Sequence, residues 1–178
     1  MSGLCSSLGV SPTGSLAFPD GDRMSEELSA FIEVARRYCS FVEHPPDTNG
    51  ALVAAQLLSR LYAAGLAIGE VEPGEIDLEQ FRPTLVPPSP GIAAQYYSMV
   101  IDPFAIEQPE TAIGDLCDDI LDVYIDVKTC LAAYDAGYGR EAEWFWWFHC
   151  RTHWGHHASD AIRALHKLIA VGTSSFLP

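Results

Sequence analysis

Residues 109–170 hold two long stretches of helical periodicity, separated only by Gly137, Tyr138 and Gly139. So short a link leaves two helices no arrangement but an antiparallel hairpin, so residues on their facing sides are forced together. Pro109 suits a first helical position, which places the earlier helix from about Pro109 to Ala136 and the later one from about Arg140 to Ala170.

The hairpin carries two polar stripes of equal pitch. Asp115, Asp119, Asp122 and Asp126 are four, three and four residues apart, which stacks four carboxylates on one narrow face with Asp118 at its edge. His149, His153, His156 and Asp160 repeat that spacing beside an apolar stripe of Trp147, Cys150, Trp154, Ala158, Ala161, Leu165 and Leu168, and His157 falls between the two stripes. Residues whose numbers sum to about twice 138 stand level in a pair folded at Tyr138. Asp126 then lies level with His149, Asp122 with His153, and Asp119 with His156 or His157. Stacked carboxylates repel, and imidazoles at matching heights relieve them, either by pairing or by jointly holding a cation.

These residues support three readings. One is a structural polar seam that includes Asp115, Asp118, His149, His156 and Asp160. A second is a divalent-metal site at Asp119, Asp122, Asp126, His153 and His157, because imidazole and carboxylate are ligands for zinc, manganese and iron. The third is metal-free acid–base chemistry by a His–Asp pair. The chain contains no HExxH, no paired ExxH and no GxSxG elbow.

All four tryptophans, Trp144, Trp146, Trp147 and Trp154, fall on the histidine-bearing helix. The run Trp144 to Phe148 points in every direction around a helix, so one core face cannot absorb it. Cover by the Pro-rich segment is the expectation; an exposed Phe145 or Trp146 would mark a binding surface. Gly155 inside this helix costs about 1 kcal/mol relative to alanine and points to a close backbone approach.

Upstream, Ser25 is an expected N-cap for a helix whose inner face is Leu28, Phe31, Ile32, Ala35, Tyr38 and Cys39. A second helix is expected from about Gly50 to Ala67, with Leu52, Ala55, Leu58, Leu61 and Tyr62 on one face. Residues 69–91, with five prolines, form a long ordered loop, and "IAAQYYSMV" a short third helix. No segment has strand character in this reading. Residues 1–24 are small, polar and turn-rich and are expected to be a flexible tail, with Met24 a second candidate start.

A net charge of -14 disfavours nucleic acid and anionic membranes as partners, since the ten Lys and Arg residues are thinly spread. No run of eighteen apolar residues suggests a membrane span. Five cysteines without CxxC spacing fit reduced thiols in a cytoplasmic protein.

The segments "LLSRLYAAGL", "YYSMVIDPF", "LCDDILDVYIDV" and "WWFHCRTHWGHHASDAIRALHKL" together resemble a bacterial family catalogued as domain of unknown function 5063, over roughly residues 25–170. The resemblance implies an all-helical fold and draws attention to Asp118, Asp119, Asp122, Asp126, His153, Trp154, Gly155 and His157.

The expectation is one all-α domain over residues 25–178, a bundle of about five helices ending in the antiparallel hairpin. The expected function is that of an interaction or regulatory protein with a protein partner and an Asp–His seam as internal structure. The alternative is a metal-dependent hydrolase acting on a phosphate-containing small molecule, with a metal-bound water as nucleophile.

Overall fold

The structure is a computed structural model that describes residues 25–84, 92 and 96–174. The expected tail at residues 1–24 lies outside the described residues, as does most of the proline-rich stretch after Thr84. Among the described residues the chain forms α1 (Glu26–Glu43), α2 (Gly50–Ala67), a short 3-10 turn (Leu78–Phe81), β1 (Tyr96–Val100), β2 (Thr111–Asp115), α3 (Leu116–Asp135), α4 (Gly139–Thr152) and α5 (Trp154–Ser174). Over these described residues the architecture is mainly all-α, with five helices and one small antiparallel sheet.

The inner face of α1 is as expected: Leu28, Phe31, Ile32, Ala35, Tyr38 and Cys39 are all buried, and Ser25 Oγ accepts from Leu28 N at 3.0 Å. The span of α2 matches its apolar pattern, but its buried face is Ala54, Leu57, Leu58, Leu61 and Gly65, while Leu52 is exposed. With apolar residues nearly all round, α2 gives periodicity little to choose between. Its length and hydropathy would also suit a membrane span, yet it packs between α1 and α5, as core helices of this composition do. A bridge at the far end of α1 adds polar ties: Glu43 accepts from Tyr124 at 3.0 Å and from Lys128 at 2.6 Å on α3.

Two expectations fail around the sheet. "YYSMV" is strand β1 rather than a third helix, and residues 111–115 form β2, so α3 begins at Leu116 and not near Pro109. Tyr96 pairs with Asp115 and Val100 with Thr111, and alternate residues of β1 face the bundle. A five-residue apolar run carries too little periodicity to separate helix from strand. Asp115 therefore does not join the carboxylate stack; it caps α3, accepting from Cys117 N at 2.9 Å and Asp118 N at 3.4 Å.

The hairpin turn follows from one glycine. Gly137 has φ +96° with open space around it, so conformation rather than room requires it there. The carbonyls of Ala133 and Tyr134 then accept from Tyr138 N and Gly137 N, each at 3.0 Å, closing the end of α3.

The later helix is not continuous. It stops at Thr152, passes through His153 at φ -143°, ψ -88°, and restarts at Trp154. Gly155 permits the break, because a Cβ there would overlap the Cys150 carbonyl oxygen. The close approach expected of this glycine is made by its own chain. At Gly65, by contrast, an added Cβ would overlap the Trp154 ring, so that glycine seats the indole between α2 and α5.

The aromatic run divides. Trp146 and Trp154 are fully buried against Phe31, whereas Trp147 is half-buried beneath Arg151, 5.0 Å from its ring. Trp144 stacks on the exposed Phe148 at 4.9 Å. Three of the five cysteines, Cys39, Cys130 and Cys150, are buried free thiols, and burial holds Cys39 up to about 12 and Cys150 to about 11.

Gly155→Ala is expected to cost about 3 kcal/mol, since backbone rather than a flexible side chain blocks the new methyl. Gly69→Ala, in open space, is expected to stay within about 0.5 kcal/mol of the parent. Urea denaturation of the two variants checks both values.

Candidate metal centre

Asp126 on α3 accepts from two imidazoles at once. His149 Nδ1 lies 2.9 Å and His153 Nδ1 2.8 Å from the same oxygen, Oδ2. One ligand atom from each of the three residues fits within a span of 4.8 Å. Asp126 and His149 are half-buried and His153 is exposed, so the cluster opens to solvent on one side. A small cleft of about 100 Å³ adjoins it, lined by Arg82, Phe145 and Cys130 among others. Burial of Asp126 favours its neutral form, but the two imidazole contacts outweigh that and hold its carboxyl below the usual range.

A second cluster lies one to two turns away. His157 Nδ1 meets Asp119 Oδ1 at 2.9 Å, and His157 Nε2 is 3.5 Å from Asp122 Oδ2. Tyr97 on β1 donates to the other oxygen of Asp119 at 2.5 Å. Gly114, opposite Tyr97 in the sheet, leaves no side chain in the way of the ring that reaches α3. Asp119 is the one buried charged residue among those described, and both its oxygens are engaged. The hydrogen bond to Asp119 raises the His157 pKa, with burial opposing and Asp122 adding to the rise. Asp122 itself is raised by burial, and the phenol of Tyr97 is raised by burial and by Asp119.

The proposed metal set is thus divided. Asp126 and His153 come together with His149, which the sequence places in the seam. Asp119, Asp122 and His157 form the second cluster, next to it, with the His153 and His157 rings 5.0 Å apart. Asp118 and His156 are exposed, and Asp160, raised by burial, lies near Arg163 and Asp119. The level pairing of Asp126 with His149 and of Asp119 with His157 is present; His153 turns to Asp126 instead of Asp122. Tyr97 is the participant that sequence reasoning missed, because its strand was read as helix. Exposure alternates along "YYSMV" in the structure, but four of its five residues are apolar, so no period-two pattern of residue type marked the strand.

The family model described as Domain of unknown function (DUF5063) matches residues 93–171, which takes in both clusters and the sheet and is narrower than the resemblance read over residues 25–170. In fold, the chain is similar to the crystal structure of protein BF1032 from Bacteroides fragilis: TM-score 0.60 and 15% identity, covering 81% of this chain and 92% of that one. No curated protein matches the chain in sequence.

The elevated His157 pKa has a direct consequence for stability. Its contribution is full below the ordinary value of 6.5 and is lost as pH rises through the higher folded-state value. In metal-free buffer the unfolding free energy is expected to fall from pH 6 toward alkaline pH, and His157→Gln to flatten that slope. Urea denaturation across the range checks this, and equal slopes for both chains would remove His157 as the cause.

Proposed function

We propose that this acidic helical bundle binds a divalent transition-metal ion through Asp126, His149 and His153, and that the ion serves hydrolysis of a small phosphate-containing substrate. The observation that carries the reading is the convergence of two imidazole nitrogens on one carboxylate oxygen, at 2.9 and 2.8 Å. Ligand atoms around a tetrahedral zinc stand ~3.3 Å apart, so each imidazole nitrogen needs to draw back from the Asp126 oxygen by about half an ångström to admit an ion. The exposed His153 stands at the interruption between two helices, where its side chain can move while its backbone N–H keeps the hydrogen bond to the His149 carbonyl. Three protein ligands leave a fourth position for water, which a bound ion acidifies into a nucleophile at neutral pH. Arg82, which lines the adjoining cleft 3.6 Å from Glu79, would supply a cation for a phosphate group on leaving that exposed pair.

The chain purified without chelator is expected to carry about one zinc or manganese per molecule, and the His149→Ala, His153→Ala double variant to carry none. Zinc at about a hundred times its Kd is expected to stabilise the parent by about 2.7 kcal/mol and to leave the variant unchanged. Release of phosphate from p-nitrophenyl phosphate is expected to follow metal content. Absence of stoichiometric metal, with melting insensitive to a chelator, would sink this reading.

A second reading, that of an interaction or regulatory protein with a structural seam, is favoured by the sheet and its loop. Phe104 is 89%, Ile106 85% and Ile113 80% exposed, a concentration of apolar surface that marks protein contacts. A chain immobilised at near-native salt is expected to retain a protein from extract that the Phe104→Ser, Ile113→Ser variant fails to retain. Equal retention by both would remove this surface from the reading.

A further inference from the structure

Between β1 and the C-terminal half of α5 lies a cleft of about 580 Å³, away from the Asp126 cluster and within the size range of small-molecule sites. Its walls are apolar: Tyr96, Leu116, which is buried at the start of α3, and Leu168. Two cations, Arg163 and Lys167, line it beside the imidazole of His166. In a chain of net charge -14 with ten Lys and Arg, a cation-lined apolar cleft is a local reversal of the protein's character.

Two contacts hold the walls in place. Arg163 donates to the Ser98 carbonyl at 2.7 Å and sits 5.8 Å from the Tyr97 ring, while Tyr97 is fixed to Asp119 across β1. The strand is thus fastened to α5 and α3 with the cleft left open between them. Asp160, one turn before Arg163, offsets part of that guanidinium's charge. Among the described residues no carboxylate is in ion-pair contact with Lys167. Lys167 is therefore the cation best placed to receive an anionic group.

We infer that this cleft binds an amphipathic carboxylate, its apolar body against Tyr96, Leu116 and Leu168 and its anionic head at Lys167. Charge complementarity selects the sign of the head, and the apolar walls exclude a bare inorganic anion as the preferred occupant. The site is independent of the metal reading, since it shares no side chain with the Asp126 cluster.

Calorimetric titration of the full chain with decanoate, kept below its micelle concentration, tests the inference. Saturable uptake of one molecule per chain is expected, with the negative heat-capacity change of apolar burial. Lys167→Glu and Tyr96→Ala, both at exposed positions, are expected to weaken decanoate by about tenfold each. Decyltrimethylammonium, with the same tail and the opposite head, is expected to bind the parent about tenfold more weakly. No saturable uptake, equal affinity for the two heads, or unchanged affinity in either variant overturns the proposal. So does co-sedimentation with phosphatidylglycerol vesicles in the absence of decanoate uptake, which would assign the cations to a lipid surface instead.

Discussion

The facing of α3 carboxylates by imidazoles from α4 and α5 is the contact on which the arrangement of this half of the molecule depends. Asp119 is buried and Asp126 half-buried, and carboxylates so placed are tolerated only when charge and hydrogen bonds replace water. Three histidines provide that replacement. Without them Asp119 and Asp126 would be left as uncompensated carboxylates on the helix whose Ile120, Val123 and Val127 are buried in the core.

The interruption at His153 belongs to the same requirement. Residues four apart on a straight helix drift by about 40° per step, so His149, His153 and His157 would fan through about 80°. A fan that wide carries the outer rings toward the edges of the face that meets α3. The break occurs at the middle histidine, and successive rings stay within 6.0 and 5.0 Å of each other. Gly155 makes the break sterically admissible by giving the Cys150 carbonyl a place to fold into. Trp154, anchored beside Gly65, fixes the direction in which α5 leaves it.

The hairpin, its turn and the level pairing of Asp126 with His149 could be read from spacing, because a three-residue link and a glycine stop allow one topology. The phase of α4 could not. Trp146 rather than Trp147 is fully buried, since the assumption of one unbroken helix carried the α5 stripe backward past His153. The sheet was hidden for another reason: "YYSMV" and "TAIGD" are each five residues, and Pro109 offered a false helix start. Losing the strands also hid Tyr97, and with it the reason Asp119 differs from its neighbours. The even scatter of basic residues was likewise a one-dimensional impression, for Arg36, Arg37 and Arg60 line one cleft between α1 and α2. That cleft is no simple basic patch, because Arg36 is held by Asp135 at 3.0 and 2.5 Å.

The oxygens of the aspartates divide the seam into two ends with different capacities. Asp119 commits one oxygen to His157 and the other to Tyr97, so an ion taken there would compete with the tether that holds β1 to the bundle. Its cost would include the docking of the sheet. At Asp126 both imidazoles meet a single oxygen, and both come from α4 and its C-cap rather than from the sheet. Displacing the two hydrogen bonds there loosens the end of α4 from α3 but leaves the Tyr97 tether of the sheet intact, and His153 already stands at the C-cap of α4. The same residue types at the same spacing thus make a fastening at one end and an adaptable cluster at the other. What separates them is the strand that reaches Asp119 and does not reach Asp126.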